Sequence, residues 1–80
     1  MKRILFVCVK NVGQSQIAEA FFNSYARGKA QAISAGIHYV SHLDPTVIEA
    51  MREVGIDISH KYPKVLTLEM LGVADKVISM

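Results

Sequence analysis

With a single cysteine in 80 residues, the chain cannot close an internal disulfide or assemble a cysteine-based zinc site, which excludes the stapled, secreted class of small domain. The excess of positive charge is also small. A net charge of +2, from nine Lys and Arg without a run or an aromatic rhythm, argues against nucleic acid as a partner. No apolar stretch approaches the roughly 20 residues of a membrane span. The run after Lys2-Arg3 breaks at Lys10, and no small-residue cleavage pattern follows it. These absences lead us to expect a cytoplasmic protein that engages no membrane. There is no internal repeat, low-complexity tract or linker, so residues 1–80 are expected to form one domain. His38, His42 and His60 lack ligand-like spacing with Cys8 or with one another, so neither a metal nor a cofactor is expected.

What is present is a foldable, apolar chain: 51% hydrophobic and 20% charged residues suit a domain with a core. A chain this short buries only about 60% of its extended surface, so its stability is expected to be marginal. Strand and helix signals alternate. Lys2 to Val9 reads as a strand covered on both faces, because Ile4-Leu5-Phe6-Val7 is a continuous β-branched and aromatic run. Ser15 is the expected N-cap of a helix in which Ile17, Ala18, Phe21, Phe22 and Tyr25 recur at helical spacing, ended by Arg27-Gly28. Ala30 to Ala35 reads as a second strand ended by Gly36, and 37–43 as loop. Asp44-Pro45 opens a helix with an apolar face of Val47, Ile48, Met51 and Val54, stopped by Gly55. Residues 56–65 read as irregular. Thr67 caps a short helix through Leu71, with Met70 and Met51 expected in the core, and Lys76 to Met80 reads as a third, buried strand. Strands separated by helices of this length pair in parallel through right-handed crossovers. The expected fold is α/β: a three-layer, doubly wound parallel sheet of flavodoxin-like order, with three strands and about three helices.

In such a sheet ligands bind beyond the carboxyl ends of the strands, which places the loop from Cys8 to Ser15 at the natural site. A thiol where a strand hands over to a helix N-terminus meets free backbone N–H groups and the positive end of a helix dipole, a setting that suits a thiolate or a bound anion. Attack on phosphorus by such a thiol also needs fixed donors and positive charge around the oxygens. Gln14 offers an amide edge and no charge where that chemistry wants a guanidinium. The alternative for Cys8 is a buried strand-end residue with no chemical role.

The run from Phe6 to Ala20, with Cys8, Asn11, Ser15, Gln16 and Glu19, resembles the low-molecular-weight protein tyrosine phosphatases and their arsenate-reductase relatives, whose loop follows C-x-x-N-x-C-R-S. Ile33-Ser34-Ala35-Gly36, Asp44-Pro45, Glu49-Ala50, Gly55-Ile56-Asp57-Ile58-Ser59, Leu66-Thr67 and Ala74 to Met80 extend the resemblance along the chain. All 80 residues fit the family's N-terminal half or slightly more. The resemblance implies that Cys8 is the nucleophile, that Asn11 holds a left-handed kink, and that Ser15 hydrogen-bonds the sulfur. It further implies an anion cradle formed by Val9, Lys10, Asn11, Val12, Gly13, Gln14 and Ser15. Three positions depart from the pattern: Gln14 replaces the Arg, Gly13 the second Cys, and Lys10 a small residue. The family's general acid, an Asp in an Asp-Pro pair near the C-terminus, lies beyond residue 80, and Asp44-Pro45 does not correspond to it.

Three functions are therefore expected as alternatives. The first is a shortened, catalytically impaired phosphatase-like domain that still binds phosphate or a similar oxyanion. The second is a weakly active phosphatase or arsenate reductase in which Lys10 or a partner chain supplies the charge. The third is a non-catalytic interaction module. The open side of the sheet is expected to be covered by a homodimer, a partner chain or a rebuilt arrangement of the same elements, in that order. Tyr39 and Tyr62 are expected as packing residues, and Asp44 as a helix cap.

Overall fold

A computed structural model describes residues 2–11, 13–38, 40 and 42–80. Strands β1 (Lys2–Cys8), β2 (Ala30–Gly36) and β3 (Lys76–Ser79) form one parallel sheet of order β2-β1-β3. Helix α1 (Gln14–Ala26) joins β1 to β2, while α2 (Pro45–Glu53) and α3 (Leu68–Val73) lie between β2 and β3. The crossover from β1 to β2 and the one from β2 to β3 run in opposite directions across the sheet. Right-handed connections then put α1 and α3 on opposite faces, as the expected α/β fold requires.

β1 is central because it is the most apolar segment, and Leu5 and Phe6 are buried in it. Phe6 meets Phe22 of α1 edge to face at 6.2 Å. A second cluster, Ala20, Leu43, Met51 and Ile58, fastens α2 and the following loop onto α1, flanked by Ile17, Phe21, Val47, Ile48 and Ile56. The terminal signals work as read for two helices. Asp44 Oδ1 accepts the Thr46 N–H at 2.9 Å ahead of Pro45, and Thr67 Oγ1 accepts the Met70 N–H at 3.1 Å.

Several expectations require correction. β1 ends at Cys8, so Val9 is already loop. Ser15 lies inside α1, whose N-cap position is Gly13, and its side chain is drawn away to the cysteine. Arg27 falls outside the last turn in a left-handed conformation, φ 51°, ahead of Gly28. α3 continues to Val73 and buries no residue, so Met70 is only half-buried. Val54 is exposed, and Tyr25, also exposed, stacks its ring on Phe21 at 6.2 Å. β3 is an edge strand with three of four residues exposed, Val77 at 46%, because among the described residues nothing pairs with its outer side. Tyr39 lies outside the described residues, and Tyr62 is exposed.

The opposite edge of the sheet is covered. Asn23 of α1 acts as a one-residue strand beside β2, its amide donating to the Ala32 carbonyl at 3.0 Å and accepting the Ala32 N–H at 2.8 Å. Higher up, the segment 64–66 runs parallel to the end of β2: Gly36 N–H donates to the Lys64 carbonyl at 2.7 Å, and Leu66 N–H to the Gly36 carbonyl at 2.8 Å. That segment, read from sequence as irregular, is what encloses the back of the Cys8 loop.

Candidate active site at the first strand-to-helix loop

The loop after β1 turns on Asn11, which adopts φ 59°, a left-handed conformation that Asn tolerates better than most residues. The kink brings the Asn11 N–H to within 3.0 Å of Cys8 Sγ. Ser15 Oγ lies 2.8 Å from the same sulfur. The direction of that contact follows from its neighbours. Lys64 N–H donates to Asn11 Oδ1 at 2.8 Å, a backbone donor that fixes which way the amide faces. Asn11 Nδ2 therefore donates to Ser15 Oγ at 2.7 Å, which leaves the hydroxyl hydrogen free to donate to the sulfur when that sulfur is a thiolate. Sγ thus accepts the Asn11 N–H and, as a thiolate, the Ser15 hydroxyl, an environment that suits a sulfur carrying negative charge.

Around the sulfur, a cleft of about 300 Å³ is lined by Cys8, Val9, Lys10, Asn11, Gly13, Gln14 and Met80. The first intrahelical bond of α1 is Ile17 N–H to Gly13 C=O, so the N–H groups of Gln14, Ser15 and Gln16 precede the ladder, and no side chain caps them among the described residues. This uncapped end opens beside the sulfur, where helix polarity favours an anion. Lys10 and Gln14 are exposed at the mouth, and Lys10 makes no ion pair among the described residues. Of the expected site residues, Cys8, Lys10, Asn11, Gly13, Gln14 and Ser15 come together, with Val9 on the rim. Val12 lies outside the described residues.

Reading by motif missed the support behind the loop. Gln16, fully buried, donates through Nε2 to Asn11 Oδ1 at 2.9 Å and to the Tyr62 carbonyl at 3.1 Å. Glu19, 3% exposed, accepts from Ser34 Oγ at 2.9 Å and pairs with Lys61 Nζ at 2.6 Å and Lys64 Nζ at 3.6 Å. Burial pushes the Lys64 ammonium below the usual lysine range, with Glu19 pulling in the opposite direction. Charged Lys64 therefore costs the fold stability at neutral pH, a cost that fades as pH rises from its depressed folded value toward 10.5. The overlooked signal was spacing: Gln16, Glu19 and Asn23 form a polar stripe on α1, and that stripe faces β2 and its flanking segment. His38, His42 and His60 are exposed. Among the described residues, no three His, Cys, Asp or Glu side chains are grouped to hold a metal. Nor, among the described residues, is any helix long and apolar enough to cross a membrane.

A parallel α/β sheet with a donor-wrapped thiol at the end of its first strand defines the class of phosphatase-type cysteine loops. The chain belongs to the low molecular weight phosphotyrosine protein phosphatase family, whose model matches residues 3–80. It is 37% identical over 79 residues to an arsenate reductase of Bacillus subtilis, covering 99% of this chain and 56% of that protein. Among solved structures, it superimposes on the Corynebacterium glutamicum thioredoxin-dependent arsenate reductase Cg_ArsC1' with a TM-score of 0.95 and 40% identity, covering 100% of this chain and 40% of that one. A low molecular weight protein tyrosine phosphatase from T. tengcongensis gives a TM-score of 0.90 at 35% identity, covering 100% of this chain and 58% of that one. The chain spans about half the length of the relatives it matches.

Proposed function

We propose that the Cys8 loop binds a tetrahedral oxyanion, phosphate or arsenate, in front of a nucleophilic sulfur, and that Gln14 keeps the chemistry slow. The observation that carries this reading is the pair of donors on Sγ, the Asn11 N–H at 3.0 Å and the Ser15 hydroxyl at 2.8 Å. With a phosphate ester, Sγ forms the S–P bond as the ester oxygen leaves with the bonding pair, and water then hydrolyses the thiophosphate. With arsenate, an S–As bond forms with loss of water. A second thiol, from outside these 80 residues, attacks Sγ to give a disulfide and release arsenite, because Cys8 is the single cysteine here. The similarity to arsenate reductases favours this second course.

Phosphate titration of the ¹⁵N-labelled protein tests the reading. Saturable shifts at the Gly13 to Ser15 amides are expected, together with slow, Cys8-dependent turnover of an aryl phosphate. Turnover as fast as that of an arginine-bearing relative assayed alongside would overturn the impairment, and a flat titration would overturn the site.

Lys10 is the one cation on the cleft wall among the described residues. Lys10→Ala is expected to weaken phosphate binding about fivefold, since a unit charge some 4 Å away is worth roughly 1 kcal/mol in water-like surroundings. Salt should erase the difference. Equal affinities at low ionic strength would show that Lys10 faces solvent alone.

A further inference from the structure

The segment 61–66 reaches the sulfur only through hydrogen bonds. Lys64 N–H fixes Asn11 Oδ1, the Tyr62 carbonyl holds Gln16, and Gln16 in turn holds Asn11. Each of these bonds requires the segment to lie against α1, yet it belongs to no helix or strand and is followed by a helix that buries nothing. Backbone bonds to Gly36 tie residues 64–66 to β2, and one charged contact fastens the segment to α1. Glu19 is almost fully enclosed, its Oε2 is 2.6 Å from Lys61 Nζ, its Oε1 is 3.6 Å from Lys64 Nζ, and Ser34 anchors the same carboxylate to β2.

We infer that Glu19, with Lys61 and Lys64, is a positioning clamp for the oxyanion site: it holds the 61–66 segment on α1, and so sets the Asn11 amide that aims the Ser15 hydroxyl at Cys8. The inference rests on the proposed oxyanion site for its functional readout, though not for its structural one. None of the three residues lines the cleft, so their effect on the anion passes through Asn11 alone.

Glu19→Gln preserves shape and an acceptor for Ser34 while removing the negative charge that both lysines face. In the folded variant, the Asn11 side-chain NH₂ resonances are expected to move and the phosphate dissociation constant to rise roughly tenfold, as expected when a support behind directly binding groups is lost. Lys61→Met, at a partly exposed position that does not threaten the core, should shift the same resonances in the same direction, and Lys61→Arg should restore them. A purely structural ion pair would lower the melting temperature and leave both readouts at wild-type values in the surviving folded protein, which would overturn the clamp. If wild-type protein bound no phosphate, the oxyanion reading would fall, and the clamp would stand or fall on the Asn11 resonances and the arginine rescue.

Discussion

Gln14→Arg is expected to raise Cys8-dependent turnover of an aryl phosphate by about 10²–10³-fold, the scale on which a preorganised donor to a developing oxyanion acts. Gln14 is the first residue of α1 and lines the cleft that holds Cys8, so a longer side chain at this position reaches the anion without disturbing the core. Its backbone is already committed to the helix. The substitution therefore changes chemistry rather than fold: a neutral amide with one donor edge becomes a cation with two parallel N–H donors matched to phosphate oxygens. Phosphate affinity should rise together with turnover, because the guanidinium is attracted to the ground-state anion as well. Unchanged turnover in a variant that still shows amide shifts with phosphate would mean that the mouth of the cleft is shaped differently from an arginine-bearing loop.

Gly36→Ala should abolish phosphate binding and lower stability by about 1–3 kcal/mol, the range for forcing extra volume into a packed site. In a domain of this size that corresponds to a fall in Tm of roughly 5–20 °C. Gly36 ends β2 directly beside Cys8, and a Cβ there would lie 2.7 Å from the Lys10 carbonyl carbon and 2.8 Å from the Asn11 nitrogen. Both are backbone atoms, so neither rotates away. Relief requires the loop to lift, which breaks the Asn11 N–H contact to the sulfur. Gly36 is also bonded on its other side to Lys64 and Leu66, so it cannot retreat. Thermal melts and phosphate titration of the variant measure the two effects separately. Retention of wild-type affinity would show that the loop accommodates the methyl group.

Much of this was legible along the chain because it depends on local chemistry. The apolar run at residues 4–7, the Asp44-Pro45 start and Thr67 each act through their immediate neighbours, and each forms the element or cap expected. The residues that the loop motif singled out, Cys8, Asn11 and Ser15, do lie together, since a kink and two contacts separated by three and seven residues are short-range events. Ser15 misled in one respect. A serine ahead of an apolar helical run has the pattern of a cap, but the sulfur and Asn11 compete for its hydroxyl and win.

Errors gathered where distant segments meet. β3 has the composition of a buried strand, yet burial depends on whether a neighbour lies beyond it, and an edge position is a property of the sheet rather than of its residues. Gln16 and Glu19 look like solvent-facing polar positions of an amphipathic helix until the segment 42 to 46 residues further on folds over them.

The sequence by itself determined the order of strands and helices, the position of the thiol and the neutral residue facing it, because these are set by side-chain pattern and by which residue occupies each position of the loop. Only the tertiary structure decided that residues 61–66 close over the loop, that Glu19 is enclosed between two lysines, and that one edge of the sheet is covered while, among the described residues, the other is open. Those arrangements depend on contacts across dozens of residues, where free energy is settled by which surfaces meet rather than by any local preference.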